Sequence, residues 1–326
     1  MMTKNVDGQA IRARVAVVGS INMDMVAHST RLPAPGETLA GEAFVMAPGG
    51  KGANQAVAAA RLGAAVDFVA RVGMRQYGPE LLQALQIEGI ACEAVMRDAK
   101  ALPGIAVIMV ASKGGENAIV YIPGSNADLS AADVAAAAPT LRGAGVVVAQ
   151  LEVPMGAIQA AFELARGAGS ITVLNAAPAQ ELPEALLGLT DWLVLNETEA
   201  SQLSGVPMGI ADDTREQARR AAQILLKRGV KQVLVTLGSD GALLCTADLD
   251  QHFPARAVIA VDTVGAGDTL VGGLVAGLAE GLTSADAVCL GQAAAAIAVS
   301  RSGVQSAMPQ RAELGAEFAL RRVESI

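Results

Sequence analysis

Residues 146–174 read VVVAQLEVPMGAIQAAFELARGAGSITVL. Val146-Val147-Val148 and Ile171-Thr172-Val173-Leu174 are apolar on both faces, as strands covered by helices on either side read. Between them Ala157–Arg166 carries a helical pattern, so the segment predicts a strand, a helix and a second, parallel strand. The rhythm continues through Trp192-Leu193-Val194-Leu195 and Val233-Leu234-Val235, with the helical stretch Arg215–Arg228 closed by Gly229. Earlier in the chain Val15–Val18 and Asp67–Ala70 flank the helix Ala53–Leu62, which stops at Gly63. Repeated in this way, the pattern predicts an α/β fold around a mostly parallel sheet.

Two stretches break the rhythm. Met25–Met46 offers short strands around Arg31-Leu32-Pro33-Ala34-Pro35-Gly36 with no helix signal. Gly104–Ile122 reads as a hairpin, Ile105–Val110 and Ala118–Ile122 joined through Lys113-Gly114-Gly115-Glu116-Asn117. Strands outside the βα rhythm predict a small separate sheet. Without repeats or a linker-like tract, the expectation is one unit over 14–315, its small sheet built from about 21–48 and 104–123, behind a flexible tail at 1–13.

Of the 326 residues, 52% are hydrophobic but only 2% aromatic, so Ala, Val and Leu must fill the core. No apolar run reaches the roughly 18 residues of a spanning helix. Thr269–Ala279 and Ala293–Val299 read as buried helices instead, and residues 1–14 lack a signal-like apolar stretch. The net charge of −8, without a cluster of Lys or Arg, disfavours nucleic acid as a partner. Cys92, Cys245 and Cys289 are odd in number and set in apolar surroundings, which predicts buried free thiols in a reducing cytoplasm. His28 and His252 lie far apart, so a His-rich metal site is disfavoured.

Polar residues follow each parallel strand: Gln150 and Glu152, Asn175, Asn196 and Glu199, Thr236 and Gly238. Ligands of open α/β sheets bind beyond the carboxyl ends of the strands, so this rim is where a site is expected. The plain alternative is that each residue caps the helix after it.

Three segments carry chemistry. Asp262-Thr263-Val264-Gly265-Ala266-Gly267-Asp268-Thr269 opens a helix in which Leu270, Leu274 and Leu278 recur, while Gly272, Gly273 and Gly277 permit close packing. A glycine-rich turn at a helix start exposes amides and the positive end of the dipole, suited to a phosphoryl group. Asp268, in the first turn, is placed to accept the proton of an attacking hydroxyl; the alternative is an N-cap. Gly49-Gly50-Lys51-Gly52-Ala53-Asn54-Gln55 fails as a P-loop because Gly52 follows the lysine, but it offers Lys51 and Asn54 as donors to hydroxyls. Here the alternative is a helix start with a solvated lysine. Gly19-Ser20-Ile21-Asn22-Met23-Asp24 puts Asn22 and Asp24 on one side of an extended chain, able to hold vicinal hydroxyls unless it is an ordinary turn.

Together these segments make the chain resemble the ribokinase-like (PfkB) carbohydrate kinases from about Val15 to Pro309. Gly49–Gln55 is similar to the family's first signature, and Asp262–Asp268 with Gly272-Gly273 to its second. Residues 19–24, Pro35-Gly36-Glu37-Thr38, 49–56, Asn175-Ala176-Ala177-Pro178-Ala179 and Asn196-Glu197-Thr198-Glu199-Ala200 most resemble the members that phosphorylate D-ribose. The resemblance implies a three-layer fold with a mostly parallel central sheet and a small β-sheet lid. It further implies transfer of the γ-phosphoryl group of Mg-ATP to the primary 5-hydroxyl of ribose.

Carried over by position, the resemblance assigns Asn22, Asp24, Gly50, Lys51, Gly52, Ala53, Asn54 and Glu152 to the sugar. Asp268 becomes the general base, and Gly265, Ala266 and Gly267 the anion hole. Asn196, Thr236, Leu237, Gly238, Ser239, Asp240, Gly241, Gly267 and Gln292 fall to ATP, and Glu199 to Mg²⁺ through water. Asp262, Val264, Ala298, Arg301, Gly303 and Ala307 fall to an activating K⁺, and the lid to a homodimer contact. The chain departs from the family pattern at three positions. Gln292 replaces an Asn or His, Leu270 a common Phe, and Ala307 a common Ser, with Ser306 just before it. Other readings stay open: a family kinase for another sugar or a nucleoside, a non-catalytic sugar or nucleotide sensor on the same fold, and a dinucleotide-binding dehydrogenase. The incomplete glycine fingerprint disfavours the last.

Overall fold

In strand β1 (Arg14–Val18) alternate side chains part company. Val15 and Val17 enter one hydrophobic core, Ala16 and Val18 the other. A strand apolar on both faces is thereby buried on both, as its sequence predicts. The computed structural model describes residues 14–113, 116–208 and 213–315. The tail expected over 1–13 lies outside the described residues, as do Gly114 and Gly115 of the expected hairpin turn.

The strands that follow are β2 (Asn22–Ser29), β3 (Ala43–Gly49), β4 (Ala65–Gly73), β5 (Val95–Asp98), β6 (Gly104–Ala111), β7 (Asn117–Ile122) and β8 (Ala144–Gln150). After them come β9 (Ile171–Asn175), β10 (Trp192–Asn196), β11 (Gln232–Thr236), β12 (Ala242–Cys245) and β13 (Asp250–Phe253). The helices are α1 (Lys51–Arg61), α2 (Gly78–Ile87), α3 (Ala131–Ala136), α4 (Ala138–Gly143) and α5 (Met155–Gly167). They continue with α6 (Glu184–Gly188), α7 (Glu197–Ser204), α8 (Thr214–Lys227), α9 (Ala266–Ala279) and α10 (Ser284–Ala298).

The main sheet has nine strands in the order β13-β12-β11-β10-β9-β8-β1-β4-β5. It is parallel except where β12 pairs antiparallel with β11 and β13. Helices α1, α2, α9 and α10 cover one face, and α3 to α8 cover the other. This is a three-layer α/β fold. Helix α8 illustrates the packing: Ala218, Ala221, Ala222 and Leu225 recur at helical spacing and are fully buried against the sheet. The segment Ala293–Val299, read above as a helix, falls in the second half of α10 and at its cap. The first half opens at Thr283, whose hydroxyl accepts the Asp286 amide at 3.2 Å.

The stretches outside the rhythm form a second sheet of four strands, β3-β2-β6-β7. β6 and β7 make the expected hairpin, with Ile105 opposite Ile122 and Val110 opposite Asn117. β2 runs parallel to β6 and antiparallel to β3, which returns the chain directly to the start of α1.

Helix α9 lies between α1 and α10, and its glycines set the spacing. A methyl group at Gly272 would fall 2.4 Å from Ala58 Cβ, and one at Gly273 would fall 2.6 Å from Gly291 Cα. Backbones therefore meet almost directly. Burial of Val271, Leu274 and Val275, at about 1.5–3 kcal/mol each, holds the helix down on the core. The start of α9 is fixed relative to the start of α1, and those two starts are the floor of the site.

Candidate active site

Both helix starts need glycine for a physical reason. Gly50 caps α1 at φ +91°, and Gly265 caps α9 at φ +77°, in the left-handed region that other residues avoid. Behind Gly265 the chain closes its first turn through the Thr269 amide on the Gly265 carbonyl, 2.9 Å. A helix start leaves its leading amides without helical acceptors, here at Ala266, Gly267 and Asp268. Ala266 N–H bonds the Thr263 carbonyl at 3.3 Å. Gly267 and Asp268 line the cavity beside it, together with Lys51, Asn175, Asn196, Glu199 and Thr236. The polar rim beyond β9, β10 and β11 thus converges with the two helix starts.

Asp268 is buried, and both of its carboxylate oxygens are held by amides of α1. Asn54 Nδ2 donates to Oδ2 at 3.0 Å and Gln55 Nε2 to Oδ1 at 2.9 Å. Asn54 in turn accepts on Oδ1 from Gln305 Nε2 at 3.0 Å, so much of its capacity is spent inside the protein. Gln55 was only part of a quoted motif at the level of sequence. The signal that finds it is a long amide at a fully buried position of an alanine-rich helix.

On the other side of Asp268 lie the residues expected to hold hydroxyls. Glu152 accepts from the Ser20 hydroxyl at 2.5 Å and from the Lys51 amide at 3.0 Å, both on Oε2. Burial raises its pKa above the ordinary value, while Ser20 and Lys51 pull the other way. Asp24, on β2, is packed so tightly that a methyl group at Gly49 would fall 2.0 Å from its Oδ2. Burial, then the neighbouring charges of Glu152 and Asp268, push its pKa to about 7. Asn22 is buried, with Oδ1 held by Asn126 Nδ2 at 2.7 Å. Asn126 also accepts the Ile21 amide at 3.0 Å and has no counterpart among the sequence expectations. Gly52 and Ala53 are backbone partners: their amides bond Ser20 Oγ at 3.2 Å and the Ser20 carbonyl at 2.9 Å.

Lys51 lies between these groups. Burial works against its charge, but Asp268, Glu152 and Glu199 more than offset that, so it titrates above the usual lysine value. Asn196 and Glu199 do cap α7, as the plain alternative held. Asn196 Oδ1 accepts the Glu199 amide, Glu199 Oε2 accepts the Asn196 amide, each at 2.8 Å, and both residues line the cavity as well. Burial raises the pKa of Glu199.

Leu237, Gly238, Ser239 and Asp240 border a second, more open cavity with Glu197 and Arg215. Gly241 closes that turn, its carbonyl accepting the Leu237 amide at 2.8 Å. Asp240 is committed to Arg215 through two hydrogen bonds of 2.6 and 2.5 Å. Gln292 lines neither cavity; its Nε2 donates to the Phe253 carbonyl at 3.0 Å.

The two loops expected to share a cation are brought together. The Gly303 amide donates to Asp262 Oδ2 at 3.2 Å, the Val264 amide to Asp262 Oδ1 at 3.0 Å, and the Asp262 amide to the Val299 carbonyl at 3.2 Å. Ala298 accepts the Arg301 amide at 3.0 Å, and Ala307 is buried, its amide 3.2 Å from the Val304 carbonyl. Val304 packs directly on Gly265, where a methyl group would fall 2.6 Å from its Cγ1.

Residues 12–311 match the pfkB family carbohydrate kinases. The chain is 40% identical to the ribokinase of Haemophilus influenzae, the match covering 93% of this chain and 97% of that one. It is 38% identical to the deoxyribokinase of Salmonella typhi, over 79% of this chain and 83% of that one. Among solved structures, an Arabidopsis thaliana ribokinase complexed with ribose and ATP superposes with a TM-score of 0.84 at 32% identity, covering 93% of this chain and 98% of that one. The chain belongs to the pfkB family of carbohydrate kinases, and it is a phosphotransferase that acts on an alcohol group.

Proposed function

We propose that this enzyme transfers the γ-phosphoryl group of ATP to the primary 5-hydroxyl of D-ribose, giving ribose 5-phosphate, with Asp268 as general base. The observation that carries the reading is the placement of the Asp268 carboxylate in the first turn of α9, inside the cavity and beside Gly267, whose amide has no helical acceptor. A hydroxyl seated there loses its proton to the carboxylate as its oxygen attacks the γ-phosphorus, and the bond from that phosphorus to the bridging oxygen breaks to release ADP. The Gly265–Gly267 turn, with the Gly267 amide and the helix dipole, steadies the charge on the transferring group. Asn22, Asp24, Asn54, Lys51 and Glu152 hold the remaining hydroxyls. ATP lies across Asn196, Thr236 and the 237–241 turn.

Mg²⁺ enters with the nucleotide phosphates. Among the described residues no three acidic, His or Cys side chains form a metal cage, which suits an ion held mainly by phosphate and water. Glu199 fits an outer role, because its backbone cap uses Oε2 while the carboxylate faces the cavity.

The test is ATP consumption across pentoses, hexoses and nucleosides. D-ribose is expected to give the highest kcat/KM, and 2-deoxyribose, suggested by the deoxyribokinase relative, is the rival substrate. The same assay reads the cation. The 262–264 and 298–303 loops, which brace the Gly265 turn, offer carbonyl oxygens of the kind that replace the hydration shell of K⁺. Rates are expected to be higher in K⁺ than in Na⁺ or a large organic cation at equal ionic strength. Ala307→Ser is expected to reach half-activation at lower K⁺; equal rates in all three salts rule the cation site out.

The small sheet serves as a lid over the sugar and as a dimer contact. Phe44 on β3 and Val120 on β7 are each 62% exposed on one face of the sheet, and Met46, Val107 and Ile122 extend that apolar face. Light scattering is expected to give twice the chain mass, and Phe44→Glu with Val120→Glu to halve it. A monomeric parent protein excludes the contact.

A further inference from the structure

We infer that Gln55 is the positioning residue of the catalytic base, its amide locked in one orientation by Asn175 and Gln150; the inference rests on Asp268 being that base. Gln55 is fully buried and touches three elements beyond its own helix. Its Nε2 donates to Asn175 Oδ1 at 2.9 Å and to Asp268 Oδ1 at 2.9 Å, and its Oε1 accepts from Gln150 Nε2 at 2.6 Å. Both amide hydrogens and the carbonyl are thereby used.

The direction of this relay is dictated from one end. The Val194 carbonyl can only accept, so Asn175 presents Nδ2 to it, at 3.2 Å, and turns Oδ1 toward Gln55. Gln55 must then offer its nitrogen on that side, and the same nitrogen reaches Asp268. Its oxygen is left for Gln150, which must answer with Nε2. Gln150 is fully buried, and among the described residues its Oε1 has no hydrogen-bond partner. An unpaired carbonyl in the interior is costly. Reversing Gln150 would pair no further group and would set two oxygens against each other at Gln55. The unpaired atom therefore falls at the far end of the relay, and the end at Asp268 is fully satisfied.

The consequence for the base is geometric. Asn54 holds Oδ2 and Gln55 holds Oδ1, so the carboxylate plane is fixed from both sides before substrate arrives. A base fixed in this way meets the hydroxyl without reorganisation. Gln55 touches no substrate-facing surface of the cavity. Its loss is therefore expected to appear in kcat and not in KM.

Three variants test this, assayed as full chains with sugar and ATP each varied up to saturation. Gln55→Met keeps the volume and removes the donor; kcat is expected to fall 10- to 100-fold, with KM for both substrates within threefold of the parent. Gln55→Glu sets a second carboxyl against Asp268, and the acidic limb of the kcat profile is expected to move up by one pH unit or more. Gln150→Met removes the unpaired Gln150 carbonyl but leaves Gln55 Oε1 without its donor, so one unpaired buried oxygen replaces another and one of the three holds on the Gln55 amide is released. It is expected to fold about as well as the parent and to lose three- to tenfold in kcat, so it decides the matter if the Gln55 variants do not fold. Asp268→Asn is measured in parallel. Near-normal activity there overturns the base assignment and this inference with it. An inactive Asp268→Asn beside Gln55 and Gln150 variants within twofold of the parent, with unmoved pH profiles, overturns the positioning role alone.

Discussion

Asp268→Asn is expected to lower kcat by roughly 10²–10⁴, the usual worth of a general base, while both substrates still bind. The substitution is nearly isosteric but not neutral for the surroundings. Each oxygen of Asp268 accepts an amide donor, from Asn54 and from Gln55. An amide at 268 would set its own N–H groups against one of them. Asp268→Ala, which removes the conflict along with the base, is the companion variant. Equal losses in the two, at unchanged KM and with folded protein in both, assign the loss to the missing carboxylate. A kcat within a few-fold of the parent in either variant takes Asp268 out of the chemistry.

The second large effect concerns Asp24, which the fold holds at a cost. Its folded-state pKa of about 7 lies above the ordinary value of 3.8, so folding favours the protonated form. Stability contributed by the neutral acid is complete below pH 4 and is lost as pH rises toward 7. The loss above pH 7 is on the order of 2–4 kcal/mol, the upper end being the full shift at 1.36 kcal/mol per unit. Asp24→Asn is therefore expected to raise Tm by several degrees at pH 8, with a smaller gain at pH 5. The same variant is expected to weaken the sugar by about 1–3 kcal/mol, since a carboxylate accepting hydroxyls has been replaced. In the parent enzyme the KM for sugar is expected to rise as pH falls below 7, ahead of any change in KM for ATP. A Tm at pH 8 no higher than the parent's refutes the account of Asp24, and a sugar KM flat from pH 6 to 8 refutes its ionisation.

Much of this architecture was legible in the residues. Strands such as Val146-Val147-Val148 are short, apolar on both faces and separated by helical stretches, which leaves few alternatives to a parallel sheet. The hairpin at Gly104–Ile122 was legible for the same reason, two β-rich runs around a Gly-Gly turn. Helices α3, α4 and α6 were not, because five or six residues do not complete enough turns to show a period. The antiparallel strands β12 and β13 are four residues each and leave little pattern. In the site, Gln150 was legible only as one polar residue after a strand and Gln55 only as the end of a quoted motif, neither with a role, while Asn126 drew no notice. Amides carry no charge, and they act only through partners distant in sequence, such as Gln55 with Asp268. Proximity of that kind belongs to the fold.

The strand order β8-β1-β4 has a consequence for how the chain is made. β1 is the first of the described strands to be made, pairs with β4 on one side, and keeps its other edge open until β8 is synthesised more than a hundred residues after it. At translation rates of roughly 5–20 residues per second that is several seconds or more, during which a strand of almost pure Val and Ala exposes unpaired backbone. The cavity is completed later still, because Asp268, the proposed base, waits on α9 while the groups proposed to face the sugar sit largely on β2 and α1. A nascent chain therefore covers the open edge of β1 once β8 is made, and it stays inert through the more than one hundred further residues that separate β8 from α9.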